Sequence, residues 1–565
     1  MLIIGLQNDE DSGVSLLRDG RLVDCVNEER FNRTKLYQGF PHLGLSYVLK
    51  KNGLTLDDID YFAYGWHGRQ NDYGDFVKRL TGRIIEAMRN DPDCWPIIKQ
   101  RVETEFDRDG DTRKLFEKQA GELGIPSNKI IYLDHHECHA SSAYMCSPFE
   151  KAMVFTFDGR GDLKSTTVSI ADDKGMNELD YCLSFDSLGF LYGQITHFLG
   201  FKPHRHEGKI TGLAAYGDPE KTRSLFRDLI QFKDGRFVAN IGLYKPFYTN
   251  LTETLKERLE HYSREDLAAG VQKHCEELVR DYIRYWREKV PPEYRSHICL
   301  AGGIAANVRI NQVVAEIPGV DNIFVFPHMG DGGLGAGAAL RAHRQATGKS
   351  KVKFETVYLG PDYSENEILT CLKSNASSLT YEKTSNKVES VIEALLEGKV
   401  VGYFDGRMEF GPRALGARSV LFHTRDRSSN DWLNKRLCRT EFMPFAPVTP
   451  IELAEKCYVG WRSDHISARF MTRTYDCTDD FKDIHPAVVH IDGTARPQIV
   501  SEELNGDYYK IVAGYCEKSG EMALINTSFN QHEEPIVCTP EDAVSSLLRN
   551  NIDILFIGPY KITKK

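Results

Sequence analysis

The chain has 565 residues, 41% of them apolar and 27% charged, and no run approaches the roughly 20 consecutive apolar residues of a membrane-spanning helix, so a helical membrane protein is excluded. The net charge is −10 with no block of Lys and Arg, which disfavours a nucleic-acid partner. Thirteen scattered cysteines without a C-x-x-C pair disfavour both a disulfide framework and a zinc ribbon.

A chain this long exceeds one ordinary core and predicts two large modules. Its start, MLIIGLQNDE, lacks the basic head and cleavage site of a signal peptide, and the expected location is the cytoplasm. MLIIGL reads as a buried strand, and GVSLLRDGRLVDCVNEER as two more joined at Asp19-Gly20. NKIIYLD is a further strand, followed by an Ala-rich helix beginning near His135. AMVFTFDGRGD at 152–162 repeats the opening pattern, an apolar strand ending in a Gly- and Asp-rich turn, with the alternating TTVSIADD after it. Helices through Arg264–Lys289 and the strands ICLAGG and NIFVFP complete a duplicated α/β unit, two lobes around a cleft. The lysine-bearing stretch Gly348–Val357 closes the first module, giving modules at 1–355 and 356–565. In the second, the strand KVVGYFDG precedes the Arg-rich FGPRALGARSVL, and the chain closes with INTSFN, a helix at TPEDAVSSLLRNN begun by Thr or Pro, and the strand ILFIGPY.

In LDHHECHASSAYMC, His135 and His139 stand four apart on a helix, so both project from one face toward one ion. Asp158 ends the following strand, and Asp331 lies in HMGDGGLGAG, a Gly-rich turn opening a helix; both border a cleft. Two imidazoles with two carboxylates suit Fe²⁺, Mn²⁺ or Zn²⁺ better than Ca²⁺ or Mg²⁺. The spacing alone fits a hydrogen-bonded histidine pair equally well, and His136 and Cys138 leave a Cys-containing zinc site open.

LAGGIAANVRIN places Gly302-Gly303 at a strand end and Asn307 at a helix start, where backbone approaches a phosphate or ribose closely. With EGKITGLAAYG at Glu207–Gly217, which contains Lys209, and the phosphate-loop-like FDGRGD, this order resembles the actin and hexokinase-type ATPase fold, in its metal-dependent branch that modifies tRNA adenosine.

Over nearly its whole length the chain resembles a narrower family, the O-carbamoyltransferases of antibiotic and nodulation-factor pathways. The motifs that carry the resemblance are EERFNRTK at Glu28–Lys35, HHECHA, FDGRGD, EGKITGLAAYG, GGIAAN, FGPRALGARS, MPFAP, DGTARPQ and INTSFNQHEEPIVCTPEDA. The resemblance implies a first module like the tRNA threonylcarbamoyl-transfer domain and a second like YrdC. It also implies ATP, with Mg²⁺, and carbamoyl phosphate as substrates of the second module, carbamoyl adenylate as intermediate, and transfer to a hydroxyl of a small molecule in the metal-bearing cleft. The metal ligands it implies are His135, His139, Asp158 and Asp331, with Fe²⁺ favoured. Lys209, Gly302, Gly303 and Asn307 would hold the nucleotide. Arg407, Arg413, Arg418, Arg439 and Arg496 would neutralise phosphates, as guanidiniums do in bidentate pairs, and Ser528 and Asn530 resemble the phosphate-holding pair of YrdC-like domains. No nucleic acid and no membrane take part, and the protein is expected as a monomer or homodimer.

Two positions depart from the family pattern. Its N-terminal His-Asp-Ser is Glu10-Asp11-Ser12 here, so Glu10 with Asp11 is expected either to act as base on the acceptor hydroxyl or to hold a cationic acceptor. Its Lys-x-Arg before MPFAP becomes NKRLCRTEF, where Arg439 keeps the phosphate role and Cys438 or Lys435 stands for the lysine. Competing readings are a tRNA threonylcarbamoyl transferase, which the acidic charge disfavours, and a non-catalytic metal and nucleotide sensor, which the retained Arg and Ser/Asn motifs disfavour.

Overall fold

The computed structural model describes residues 1–66, 73–240, 243, 251–426, 428–437 and 443–565. The chain divides into two compact units: Met1–Val23 with Gln38–Phe354, and Asp24–Tyr37 with Glu355–Lys565.

The first unit repeats one sheet. Strands β1 (Leu2–Gln7), β2 (Gly13–Arg18), β3 (Arg21–Asn27), β4 (Tyr61–Tyr64) and β5 (Ile130–Tyr132) lie in the order β3-β2-β1-β4-β5. β1 is antiparallel to β2 and parallel to β4, which is parallel to β5. Strands β6 (Ala152–Gly161), β7 (Lys164–Asp172) and β8 (Gly175–Leu183) make the corresponding meander. After the separate hairpin β9 (Ile230–Lys233) and β10 (Arg236–Ala239) come β11 (His297–Ala301) and β12 (Asn322–Val325). The second sheet therefore runs β8-β7-β6-β11-β12, with the same pattern of antiparallel and parallel neighbours. This is the duplicated α/β unit that the repeated strand-and-turn pattern predicts, in agreement with the actin and hexokinase-type fold implied by the motif resemblance.

The apolar runs explain the burial. Ile3, Ile4 and Leu6 of β1 are fully buried, and a Cβ on Gly5 would stand 1.8 Å from the Gly335 carbonyl oxygen, so only glycine lets the helix Leu334–Thr347 lie directly on the strand. The hairpin turn at Asp19-Gly20 has both residues at positive φ, 51° and 81°, the conformation that fits the strand twist. Under the second sheet, Phe155 and Phe157 meet Tyr282 of the helix Arg264–Lys289 edge-on at 6.0 and 5.8 Å. Two helices without a sequence forecast, Tyr73–Asn90 and Trp95–Glu122, enter between β4 and β5. Their Phe76, Leu80 and Ile98, with Cys94 from the turn between them, pack with Leu163, Tyr181, Leu183 and Phe185.

The second unit is built on eight strands: β13 (Leu379–Lys383), β14 (Val401–Phe404), β15 (Arg418–Phe422), β16 (Ala446–Pro450), then, beyond the short pair β17 (Tyr475–Asp476) and β18 (Thr494–Ala495), β19 (Gln498–Val500), β20 (Leu524–Ser528), β21 (Ile554–Ile557) and β22 (Tyr560–Lys564). Their order is β13-β22-β21-β14-β15-β20-β16-β19, a mixed sheet with parallel pairs at β14/β21 and β16/β19. The segment Asp24–Tyr37 joins this unit through polar contacts: Cys25 N–H donates to the Leu359 carbonyl at 3.0 Å, Arg30 to that of Gly411 at 3.1 Å, and Arg33 to those of Pro535 and Ile536 at 2.8 Å each. Among the described residues no helix is long and apolar enough to cross a membrane.

Candidate functional site

The helix His135–Met145 starts at Asp134, whose side chain accepts the Glu137 amide at 3.0 Å, and Asp162 accepts the His135 amide at 2.8 Å. Its small residues, Ala140, Ser141 and Ala143, are buried, which seats the helix deep enough to hide both His135 and His139. Asp158 lies where the β6/β7 register shifts between Phe157 and Gly161, an irregularity of the kind that re-aims a side chain out of the strand pattern. Asp331 opens the short turn Asp331–Gly333 before the helix Leu334–Thr347.

These four side chains converge. His139 Nε2 is 3.1 Å from His135 Nε2 and 3.3 Å from Asp331 Oδ1, while His135 Nε2 is 3.3 Å from Asp158 Oδ2 and 3.6 Å from Asp331 Oδ1. All four ligand atoms lie within 4.8 Å of one another. An ion with metal–ligand distances of about 2.0–2.2 Å spaces neighbouring donors by about 2.8–3.6 Å, so the cluster fits a first-row divalent ion. Two nitrogens and two carboxylate oxygens are a donor set for Fe²⁺, Mn²⁺ or Zn²⁺. Burial opposes charge on His135, but Asp331 and then Asp158 outweigh it and raise its pKa to about 9. Burial pushes the neighbouring His136 down to about 3, and its Nδ1 lies 2.7 Å from the Thr156 hydroxyl, outside the cluster.

The Gly302-Gly303 turn belongs to the same site. Gly302 has φ +91°, a Cβ on it would lie 2.3 Å from the Phe157 carbonyl oxygen, and the Gly303 amide donates to Asp158 Oδ1 at 2.9 Å. Asn307 caps the helix Val308–Ala315, its side chain accepting the Arg309 and Ile310 amides at 3.2 Å each and donating to Gln272 at 2.8 Å. Lys209, in the helix Glu207–Leu213, is buried with its ammonium 5.8 Å from the Phe201 ring centre.

Glu10 and Asp11 sit in the β1–β2 turn, Asp11 at φ 57°. Asp11 Oδ2 is 3.4 Å from His328 Nε2 and 2.2 Å from where a Cβ on Gly332 would be, so this turn abuts the Asp331 loop. Glu10 Oε2 is 2.8 Å from His204 Nδ1, with side chains 25% and 36% exposed. His204, at φ 64°, escaped the sequence reading: its partner is nearly two hundred positions away, and no local pattern marks the pair.

In the second unit, Gln498 donates to the Leu415 carbonyl at 2.7 Å, and Asn526 donates to the Ala414 carbonyl at 3.0 Å and to Gln498 Oε1 at 2.7 Å. Glu409 accepts the Leu415 amide at 2.6 Å. This network draws the loop 405–417 onto β19 and β20, so half-buried Arg413 and Arg496 share one end of the sheet with Ser528 and Asn530. Gln498 and Asn526 fall inside the motifs DGTARPQ and INTSFN, beside the Arg496, Ser528 and Asn530 that the family resemblance singles out. Asn530 Nδ2 donates to the Glu534 carbonyl at 2.7 Å. Arg407 donates to Asp24 Oδ1 and the Leu359 carbonyl at 2.6 Å each. Arg418 is fully buried, with its guanidinium donating to the carbonyls of Asp405, Gly406, Ala417 and Pro361, and it braces the loop that carries Arg413. Arg439 and Cys438 lie outside the described residues.

A family model described as the carbamoyltransferase N-terminus matches residues 2–340, and one described as the carbamoyltransferase C-terminus matches residues 392–564. Nodulation protein NolNO of Sinorhizobium fredii is 30% identical over 98% of this chain and 79% of its own length. The uncharacterized protein sll1178 of Synechocystis is 31% identical over 98% of this chain and 95% of its own. Full-length HypF in its phosphate- and nucleotide-bound form aligns with 62% of this chain and 56% of its own at TM-score 0.36 and 12% identity, a likeness too slight to carry an argument. Matched in both halves and in order, the chain belongs to the carbamoyltransferase family and is an enzyme of carbamoyl transfer.

Proposed function

We propose that the enzyme is an ATP-dependent O-carbamoyltransferase whose second, YrdC-like unit forms carbamoyl adenylate, water first cleaving carbamoyl phosphate to carbamate and phosphate and a carbamate oxygen then attacking the α-phosphate of ATP to displace pyrophosphate, and whose first unit passes the carbamoyl group to a hydroxyl of a small molecule. The observation that carries the reading is the convergence of His135, His139, Asp158 and Asp331, which fits a divalent ion, Fe²⁺ first. When bound, that ion supplies Lewis-acid polarisation of an oxygen of the adenylate.

The chain's own residues do the rest. Arg413, Arg496 and the Ser528/Asn530 pair hold phosphates in the second unit, with Mg²⁺ accompanying ATP, and Arg439 is proposed to join them. In the first unit Lys209 and the Gly302-Gly303 turn hold the nucleotide, with Asn307 fixing the helix behind it. The acceptor oxygen attacks the carbamoyl carbon, the bond from that carbon to the AMP phosphate oxygen breaks, and AMP leaves. The hydroxyl proton passes to the Glu10–His204 pair, whose Glu10 stands with Asp11 on the turn beside the Asp331 loop. The acidic net charge supports a small-molecule acceptor over tRNA.

The test is pyrophosphate exchange into ATP, which must depend on carbamoyl phosphate and proceed without threonine. A metabolite extract incubated with enzyme, ATP and carbamoyl phosphate should then show a compound heavier by one carbamoyl group. Exchange that requires threonine, or no exchange at all, sinks the reading.

A further inference from the structure

The helix Trp95–Glu122 carries an ion group deep into the first unit. Arg101 and Glu105 have side chains 1% and 2% exposed and pair one turn apart, and Glu105 also accepts from Arg160 Nη1 at 2.9 Å. Arg160 follows Asp158 by two residues on β6. Its guanidinium lies 5.7 Å from the centre of the Trp66 ring, and Trp66, itself buried, packs 4.4 Å from the ring of His135. On the other side Arg101 stacks 4.6 Å over Phe190 in the helix Leu188–Phe198, whose cap Ser187 donates to the Asp158 carbonyl at 3.0 Å.

One carboxylate thus stands between the supports of two of the four converging donors. Burying two guanidiniums on a single carboxylate carries a desolvation penalty, and such groups are retained where they fix an arrangement. Burial opposes ionisation of Glu105, yet Arg101 and Arg160 hold its carboxyl below the ordinary range, so it stays an anion and a firm anchor.

We propose that Glu105 is a positioning residue for the metal-binding cluster, acting through Arg160 and Trp66 to hold the His135 ring and the Asp158 end of β6 in register with His139 and Asp331. The proposal rests on reading those four side chains as a metal site. Its physical basis is preorganisation: outer partners that lock ligand rotamers raise affinity because the ion need not order them.

The measurement is the Co²⁺ dissociation constant of the full chain by chelator competition, with thermal unfolding of the metal-free protein alongside. Arg160→Met leaves Arg101 and Glu105 as a balanced pair, and is expected to bind Co²⁺ about 10–100-fold more weakly while keeping a cooperative transition. Glu105→Gln should weaken binding at least as much. Glu103→Gln, on the exposed side of the same helix and paired with Lys99, should match the parent. Folded Arg160→Met and Glu105→Gln variants that bind within twofold of the parent overturn the proposal, provided His139→Ala has lost binding. If His139→Ala also binds as the parent does, the metal reading falls and takes the proposal with it.

Discussion

Asp158 has two oxygens, and the fold gives each a separate task. Oδ1 accepts the Gly303 amide, and Oδ2 faces His135. Rotation of this carboxylate therefore breaks its contact with the Gly303 amide, which couples the Gly302-Gly303 turn to the histidine–aspartate cluster. His139, by contrast, meets only cluster partners through its Nε2. His139→Ala is expected to abolish bound metal, read by elemental analysis, and transfer, while carbamoyl phosphate-dependent pyrophosphate exchange stays within about twofold; loss of both activities would refute separate sites. Arg413→Ala should give the mirror result, losing exchange but transferring from supplied carbamoyl adenylate. For Glu10→Gln the prediction is a transfer rate lowered about 10²-fold or more, the scale of a lost proton acceptor, with unchanged exchange. A rate equal to the parent's would return Glu10 to an ordinary turn residue.

At the scale of the element, the loop 405–418 depends on one buried charge, Arg418, whose guanidinium donates to four backbone carbonyls. Arg418→Met would leave those carbonyls dry, each costing about 1–3 kcal/mol, so urea unfolding should show a loss of about 3 kcal/mol or more. A variant as stable as the parent but unable to bind ATP would restore Arg418 to the substrate. Most elements were legible because their signals are local. The apolar run at Leu2–Gln7, the Asp19-Gly20 turn, the helix Arg264–Lys289 and the Thr539-capped helix Pro540–Leu548 all follow from periodicity, turn chemistry and capping within a dozen residues. The helices Tyr73–Asn90 and Trp95–Glu122 had no forecast, although Phe76, Leu80, Ile84 and Ala87 recur at helical spacing on the buried face of the first; what local spacing does not show is the burial of Arg101 and Glu105, which look like surface charges until Arg160 arrives from β6. The same limit hid His204: pairing between distant loops leaves no mark in spacing.

For the whole molecule, the sheet order of β1–β5 is repeated by β6–β8 with β11 and β12, and it brings Asp158, at the register shift of β6, together with Asp331, in the turn that follows β12. The second unit takes its completing segment, Asp24–Tyr37, from the beginning of the chain. A fragment of residues 355–565 should therefore unfold at lower urea than the same fragment supplied with a 24–37 peptide. Equal midpoints would show that Arg30, Arg33 and Asp24 contribute nothing to that unit. The contacts at stake are those to Gly411, Pro535, Ile536 and Arg407.

That segment also sets a timetable. Its fourteen residues are synthesised well before the backbone carbonyls that Arg30 and Arg33 must meet, which follow 381 to 503 positions later, on the order of tens of seconds at roughly 5–20 residues per second. Until then the nascent chain holds the buried pair Glu29 and Arg30 without their final surroundings, so the second unit can mature only once Ile536 has been made.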